Sequence, residues 1–225
     1  MTALSVREGY RLWAPSYADE TAISHLEAGL AADLTPPLAG VRLLDAGCGT
    51  GRRLHGTGAA FAVGIDLCPE MLDAGLGQGR SRPGLETLVG DVRDLPLPDR
   101  SFDVLWCRLV IGHLPDAGAA YAELGRVAEA GARLVVTDFH PDAYAAGHRR
   151  TFRRGGAVHE IEHHVHDLDQ HRSAAAAAGW RLTKVLQGAI GPQVLPFYEA
   201  AGRAALYQRH LGLPVVLGLG FTREA

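Results

Sequence analysis

The chain has 225 residues, of which 47% are apolar, and this is enough to bury the core of one α/β domain. Its formal net charge is −3 and its one lysine, Lys184, leaves no basic stripe in the sequence, which argues against a nucleic-acid substrate. Its three cysteines show no CxxC spacing, so neither a disulfide framework nor a structural zinc site is expected.

Residues 1–38 are predicted to form a helical cap, with helices over residues 2–34 and a break at 13–17. The first twelve residues lack the apolar segment of a signal peptide. No run in the chain reaches about 18 apolar residues, the length that crosses a bilayer. We therefore expect a cytoplasmic protein without a membrane span.

Short apolar runs alternate with helix-like segments from residue 41 onward. Runs without polar alternation are typical of a parallel sheet covered on both faces, and strand-helix-strand repetition implies right-handed crossovers. The expected fold class is therefore α/β, with a Rossmann-like, doubly wound sheet. The predicted strands cover residues 41–46, 61–65, 85–89, 102–106 and 132–137, and the predicted helices cover residues 51–57, 69–76 and 117–129.

Residues 141–167 interrupt this alternation and predict an inserted lid. Residues 151–154 and 157–166, joined by Gly155 and Gly156, are typical of a hairpin. Because this hairpin follows the fifth strand, we expect it to lie as a lid over the carboxyl edge of the sheet.

The chain after the lid completes the predicted domain. Asp167 is the predicted N-cap of a helix that ends at Gly179, and two further strands are predicted over residues 180–186 and 214–219. Because no linker or internal repeat interrupts the chain, residues 1–225 are predicted to form a single domain.

The first predicted strand runs into a glycine-rich turn with Gly47, Gly49 and Gly51. Glycines let the backbone approach a ligand closely. A dinucleotide fingerprint would place its last glycine at position 52, where Arg52 stands. Asp45, two residues before the first glycine, would repel a pyrophosphate but pair with an amino-acid ammonium. The turn therefore indicates a nucleoside with a zwitterionic tail, with an ordinary tight connection as the alternative.

Two further acids stand at the ends of the next two strands. Asp66 follows the second strand, where a carboxylate can accept hydrogen bonds from both ribose hydroxyls. Asp91 follows the third strand and suits an adenine amino group, while Val92 offers its backbone N–H. Because ligands bind along the carboxyl edge of such sheets, three acids there favour a ligand site over simple helix caps or solvated turns.

The segments LLDAGCGTG, GIDLCPEML and GDVRDLPLPDRSFDVLWCRLVIGHLPD resemble the class I S-adenosylmethionine-dependent methyltransferases. Within that family the chain is similar to the small-molecule and quinone methyltransferases of type 11. The resemblance implies a seven-stranded sheet whose last strand is antiparallel. It implies that S-adenosylmethionine is the cofactor and that its contacts include Asp45, Gly47, Gly49, Asp66, Leu67, Asp91 and Val92.

Two more assignments follow from the same resemblance. Cys107, after the fourth strand, would offer its backbone carbonyl to the methionine ammonium. The opening YRLWAPSYAD is similar to the family's opening, except that one residue separates Tyr17 from Asp19, which weakens any role for Asp19. Tyr10 and Tyr17 are expected to fold over the cofactor or the acceptor, with core packing as the alternative.

Five of the eleven histidines lie between residues 159 and 171. His159 and His163 match the HExxH zinc pattern, but that pattern requires a helix, and on the predicted strand they would lie roughly 13 Å apart. We therefore expect no bound metal. Another metal site, with His140, His164 and His166 as ligands, is the weaker alternative.

His166 and His140 are the predicted catalytic residues, as a base toward the acceptor or as orienting hydrogen-bond donors. The spacing from His166 to Gly179 and the run DFHP at 138–141 resemble segments of the same family. An imidazole with a pKa near 6.5 can take a proton from an acceptor at neutral pH. The alternative for the hairpin histidines is a solvated strand face.

These observations predict methyl transfer from S-adenosylmethionine to a small molecule, in the first place at oxygen, with secondary metabolism as one setting. No NPPY-type motif follows the fourth strand, which argues against amino methylation of nucleobases. A fold relative with cyclase or decarboxylase chemistry, and a non-catalytic sensor of the cofactor, are the alternatives. The partners expected are a small-molecule acceptor and no nucleic acid, with a monomer and a homodimer both open.

Overall fold

The computed structural model describes residues 3–17, 19–77 and 83–224, so residues 1, 2 and 18 of the predicted helical cap lie outside the described residues. The helices are α1 (Val6–Trp13), α2 (Ala22–Leu34), α3 (Pro69–Leu76), α4 (Gly118–Val127), α5 (Pro141–Ala145), α6 (Leu168–Ala177), α7 (Leu195–Ala200) and α8 (Ala204–His210). The strands are β1 (Arg42–Ala46), β2 (Phe61–Asp66), β3 (Leu85–Val89), β4 (Phe102–Arg108), β5 (Ala128–Phe139), β6 (Thr151–Arg154), β7 (Ala157–Glu160), β8 (Trp180–Ala189) and β9 (Pro214–Arg223).

Seven of the strands form one sheet in the order β3-β2-β1-β4-β5-β9-β8, and β6 pairs with β7 in a separate hairpin. Strands β1 to β5 are parallel, whereas β9 lies between β5 and β8 and is antiparallel to both. The predicted doubly wound sheet with an antiparallel last strand is confirmed. The strand order reverses at β1, which pairs with both β2 and β4, and ligands of such sheets bind at this switch point.

The central strands are buried on both faces, which explains why their sequences are apolar runs without alternation. Neighbouring residues of β1 point to opposite faces. Leu44 joins an apolar cluster with Tyr121 of α4, and Leu43 joins another with Leu34 of α2. Among the described residues, none of the helices combines the length and the apolar content that crossing a bilayer requires.

The chain differs from the sequence prediction after β1 and at the start of β5, and α5, α7 and α8 were not predicted. Residues 51–57 form turns instead of a helix, since Gly51 and Gly56 both adopt positive φ, at 65° and 71°. Strand β5 begins at Ala128, because the chain passes directly from α4 into the sheet, where Ala128 pairs with Phe102. The glycine-rich turn after β1 is consequently a wide loop, and the next helix along the chain is α3.

The predicted hairpin is present and lies against the N-terminal helix. Gly155 and Gly156 form its turn at φ of 56° and 79°, a conformation that favours glycine at both positions. Trp13 of α1 stacks on Phe152 of β6 with ring centroids 5.1 Å apart. Strand β7 is shorter than predicted, and residues 161–166 continue beyond the hairpin.

A buried ion cluster fastens α2 to the carboxyl edge of the sheet. Glu27, which is 1% exposed, accepts hydrogen bonds from Nε and Nη2 of Arg108 at 2.7 and 2.9 Å. Nη2 of Arg53 lies 2.9 Å from Oε2 of Glu27, and the Thr137 hydroxyl donates to Oε1 at 3.0 Å. Burial alone would raise the pKa of Glu27, but the two arginines hold it below its ordinary value.

We expect Glu27→Ala to lower the free energy of unfolding by about 3 kcal/mol, because Arg108 and Arg53 lose the carboxylate that neutralises them. Urea unfolding at pH 7 measures this change. Glu129→Ala is the matched control, since its ion pair with Arg42 is largely exposed and its loss should cost less than about 1 kcal/mol. Equal losses in the two variants would contradict a structural role for the cluster.

Candidate active site

The carboxyl ends of the parallel strands open into a cavity of about 170 Å³, called here the inner cavity. Its wall combines the glycine loop, acids from two strand ends and apolar side chains. It brings together seven of the nine predicted cofactor-binding residues, namely Tyr17, Gly47, Gly49, Asp66, Leu67, Asp91 and Val92. The remaining lining residues are Val6, Tyr10, Met71, Gly90, Arg93, Arg108, Leu109, Val110, His113 and Leu114.

The glycine loop presses closely against the segment that follows β4. Gly47 has a φ of 83°, and a side chain there would collide with Val110. The backbone N–H groups of Gly47 and Cys48 both donate to the carbonyl of Ile65, at 2.7 and 2.9 Å. The loop is therefore tied to the end of β2, and its backbone forms one wall of the inner cavity.

Asp66 holds the glycine loop and the start of α3 together. Its carboxylate accepts the backbone N–H of Gly49 at 2.8 Å and that of Cys68 at 2.9 Å, one on each oxygen. Burial raises the pKa of Asp66, although these two hydrogen bonds act in the opposite direction. Each carboxylate oxygen can accept a further hydrogen bond, which suits a pair of ribose hydroxyls.

Asp91 and Val92 form the part of the wall that follows β3. The Asp91 carboxylate accepts hydrogen bonds from the backbone N–H of Arg93 at 2.9 Å and from its Nη2 at 2.6 Å. This pairing lowers the pKa of Asp91, so the carboxylate is ionised at neutral pH. An ionised acid beside the apolar side chains of Val92 and Leu114 suits the amino edge of an adenine.

Asp45 lies behind the glycine loop, beside a small cavity of about 50 Å³ that shares Gly47 and Arg108 with the inner cavity. The Asp45 side chain is 2% exposed, and its Oδ1 has no hydrogen-bond partner among the described residues. Burial raises its pKa to about 6, while Arg108 and Arg53 act in the opposite direction. An unpartnered buried carboxylate oxygen beside arginines matches the ammonium and the carboxylate of an amino-acid tail.

The residues of the inner cavity, with Asp45 behind it, thus fit a nucleoside that carries an amino-acid tail. Met71 and Leu67 offer apolar contacts, Asp66 can accept hydroxyl hydrogens, and Asp45 has an oxygen that suits a cationic partner. S-adenosylmethionine has these three parts. Such a molecule fits better than a dinucleotide, because a pyrophosphate would stand beside the Asp45 carboxylate.

A larger cavity of about 480 Å³, called here the outer cavity, adjoins the inner one. Tyr10, Tyr17 and Leu109 line both cavities and form the junction between them. The wall of the outer cavity is mostly aromatic and aliphatic, with several arginines. Its other lining residues are Trp13, Asp19, Glu20, Thr21, Ala22, Ile23, Ser24, Arg52, Phe139, His148, Arg149, Arg150, Thr151, Phe197, Tyr198, Ala201, Arg203 and Leu206.

A chain of hydrogen bonds crosses the junction. Nη1 of Arg150 donates to the Tyr10 hydroxyl at 3.2 Å, and that hydroxyl lies 2.9 Å from Nε2 of His113. Nδ1 of His113 lies 3.1 Å from the Glu162 carbonyl, which can only accept, so Nδ1 carries a hydrogen. Burial, and after it the charge of Arg150, lower the pKa of His113 well below its ordinary value. His113 is therefore neutral, and its Nε2 accepts from Tyr10.

The two predicted catalytic histidines lie outside the walls of these cavities. His166 is 6% exposed, and its Nε2 lies 2.9 Å from the Leu114 carbonyl. Nδ1 of His140 accepts the backbone N–H of Asp142 at the start of α5. Cys107 is fully buried in β4, one residue before the chain reaches the inner cavity. Over the described ranges, no three His, Cys, Asp or Glu side chains are placed to hold a metal ion.

Sequence reasoning did not assign a site role to Arg150, Arg108 or His113. Arg108 is the last residue of β4, so its place in the wall could be inferred from the strand-end rule that identified the acids. Arg150 comes immediately before the predicted hairpin, and this position next to the lid is the only signal for it in the sequence. His113 lies in the segment between β4 and α4, where no signal in the sequence indicates a site residue.

Comparisons with known proteins agree with this geometry. A family model described as a methyltransferase domain matches residues 44–136. A malonyl-acyl-carrier-protein O-methyltransferase from Serratia marcescens is 33% identical over 179 residues, which cover 77% of this chain and 67% of that protein. The chain spans about three fifths of the length of the curated relatives it matches.

Solved structures that share the fold include a methyltransferase and a cyclase. An S-adenosylmethionine-dependent methyltransferase from Mesorhizobium loti has a TM-score of 0.69 at 20% identity, covering 90% of this chain and 100% of that one. A (4+2)-cyclase, SpnF, has a TM-score of 0.70 at 20% identity, covering 100% of this chain and 98% of that one. At these identities the likeness concerns the fold alone.

We expect the affinity for S-adenosylhomocysteine to fall as the pH drops below about 6, by up to about tenfold per pH unit. The Asp45 carboxyl must lose its proton to pair with the ligand's ammonium, and its pKa in the free protein is raised to about 6. Calorimetric titrations from pH 5 to 8 measure the profile. Asp45→Asn should bind weakly throughout and without this slope, and a slope unchanged in Asp45→Asn would refute the pairing.

Proposed function

Because the chain belongs to the S-adenosylmethionine-dependent methyltransferases, we propose that it transfers the cofactor's methyl group to an oxygen atom of a small molecule held in the outer cavity. The observation that carries this proposal is the pair of adjoining cavities. The inner one has the donors and acceptors that the cofactor needs, and the outer one is larger and mostly apolar. They meet at Tyr10, Tyr17 and Leu109, where a reacting pair would be held in line.

The site's own residues bind and orient the two molecules. Asp66 and Asp45 hold the ribose and the ammonium of the cofactor, which supplies a methyl group on a positively charged sulfur. Tyr17 lies over the glycine loop, where a side chain on Gly49 would come within 3.4 Å of its ring. Tyr17 and α1 therefore cover the reacting centre and limit access of water to it.

We assign the acceptor-side proton to Tyr10 and His113 rather than to His140 and His166. Tyr10 lines both cavities, and its hydroxyl donates to a neutral His113. A proton that leaves an acceptor hydroxyl can pass to the Tyr10 oxygen while Tyr10's own proton moves to Nε2 of His113. The lowered pKa of His113 keeps its ring neutral before the transfer, and the imidazolium that forms must then release its proton to solvent.

The choice of oxygen rests on the relative from Serratia marcescens, whose name specifies an O-methyltransferase. Cyclase chemistry is the second candidate, because the match to the fold of the cyclase SpnF covers the whole of this chain. Transfer of label from methyl-labelled S-adenosylmethionine to an acceptor separates the two. A cyclase would bind the cofactor without consuming it.

We expect S-adenosylmethionine to bind the wild type with micromolar affinity and Asp66→Asn to weaken this by about 10- to 100-fold, because hydrogen bonds to a charged acceptor are lost. Titration calorimetry measures both. Asp73→Asn, an exposed acid on α3, is the matched control and should bind as the wild type does. A folded wild type that binds neither S-adenosylmethionine nor S-adenosylhomocysteine would overturn the proposed function.

A further inference from the structure

Arg150 stands at the junction of the two cavities with half of its hydrogen-bonding capacity unused. Its Nη1 donates to the Tyr10 hydroxyl at 3.2 Å and to the Leu109 carbonyl at 3.0 Å. Its Nε is shielded from solvent and has no partner, and no described residue accepts a hydrogen bond from its Nη2. Nη2, which is not shielded in this way, therefore has N–H groups available for a charge-assisted hydrogen bond to a carboxylate.

The Arg150 charge also lacks a direct counter-ion. No carboxylate of the described chain lies within 4.0 Å of its guanidinium, although other arginines of this protein, such as Arg42 and Arg108, are paired with acids. The buried Asp138 acts on it from a greater distance, and Asp138 lies 3.4 Å from Nε2 of His171. A partly buried cation in this position favours an anionic ligand.

The rest of the outer cavity has the same character. Its wall has four arginines, Arg52, Arg149, Arg150 and Arg203, against two acids, Asp19 and Glu20. A whole chain with a net charge of −3 thus gathers positive charge around one apolar cavity. A ligand that matches both the apolar wall and the positive charge has a largely apolar skeleton and one anionic group.

We propose that the acceptor is an apolar or aromatic hydroxy acid whose hydroxyl oxygen receives the methyl group as its proton passes to Tyr10, and that Arg150 binds the carboxylate of this acid and selects it over neutral analogues. Arg150 holds the carboxylate beside Tyr10 and Leu109, next to the inner cavity. Its anchoring bonds to these two residues fix the guanidinium before the acid arrives, which lowers the cost of ordering it. The inference rests on the proposed function only in naming this ligand the methyl acceptor.

The test compares acids with their primary amides as probes. Benzoate, 2-naphthoate and decanoate, each paired with its amide, are titrated into the full chain by calorimetry, with and without saturating S-adenosylhomocysteine. We expect at least one acid to bind at least tenfold more tightly than its amide, because only the anion neutralises the charge of Arg150 and accepts a charge-assisted hydrogen bond from its Nη2. Phenyl phosphate, titrated in parallel, is expected to bind more weakly than the best acid.

Arg150→Met should abolish the preference for the acid, and Arg150→Lys, which keeps the charge without the fork, should retain part of it. Arg153→Met removes an exposed arginine of the hairpin that lies outside the cavity walls and should leave the preference unchanged. All three variants should bind S-adenosylhomocysteine within threefold of the wild type, which also shows that they are folded.

Three outcomes would overturn the inference: an amide that binds as tightly as its acid for every pair, no binding of any acid, or Arg150→Met with the preference intact. Tighter binding of phenyl phosphate than of every acid would overturn the assignment to a carboxylate. Each of these leaves the proposed function standing if S-adenosylhomocysteine binds. Loss of that binding in the wild type removes the proposed function instead, while the acid and amide comparison without cofactor still decides the role of Arg150.

Discussion

The site depends on the buried ion cluster in which the carboxylate of Glu27 pairs with Arg108 and Arg53. This carboxylate joins α2 to Arg108, the residue that ends β4 and lines the inner cavity, and to Arg53 beyond the glycine loop. The same two arginines act on Asp45 and limit the rise in its pKa that burial causes. One ion cluster therefore fixes both the position of α2 and the charge around Asp45.

The second constraint is the conformation of the chain directly after β4. Leu109 adopts a positive φ of 57°, which is costly for a residue with a branched side chain, and its N–H donates to the Thr137 carbonyl. This turn places Leu109 in the walls of both cavities and aims its carbonyl at Arg150. The backbone strain is thus located where the inner cavity and the outer cavity meet.

Much of the cofactor site could be predicted because it follows one local rule. In a parallel sheet the strand ends meet at one edge, so Asp66 and Asp91 come together wherever the strands are correctly identified. No comparable rule predicts the positions of the histidines. The sequence predicts His166 on a strand over residues 157–166 and facing the acceptor, but β7 ends at Glu160, and His166 lies buried beside Leu114. The hairpin itself was predicted because two adjacent glycines favour its turn.

By itself, the sequence determined the doubly wound sheet, the glycine loop, the strand-end positions of the acids and the hairpin, since each depends on residues close together in the chain or on sheet periodicity. Only the tertiary structure decided which residues line the outer cavity. Tyr10 meets His113 across 103 positions and Arg150 across 140, and no periodic pattern encodes such contacts. An arginine acquires a ligand-binding role when the fold leaves it without a counter-ion, and the absence of that partner becomes visible only once the chain has packed.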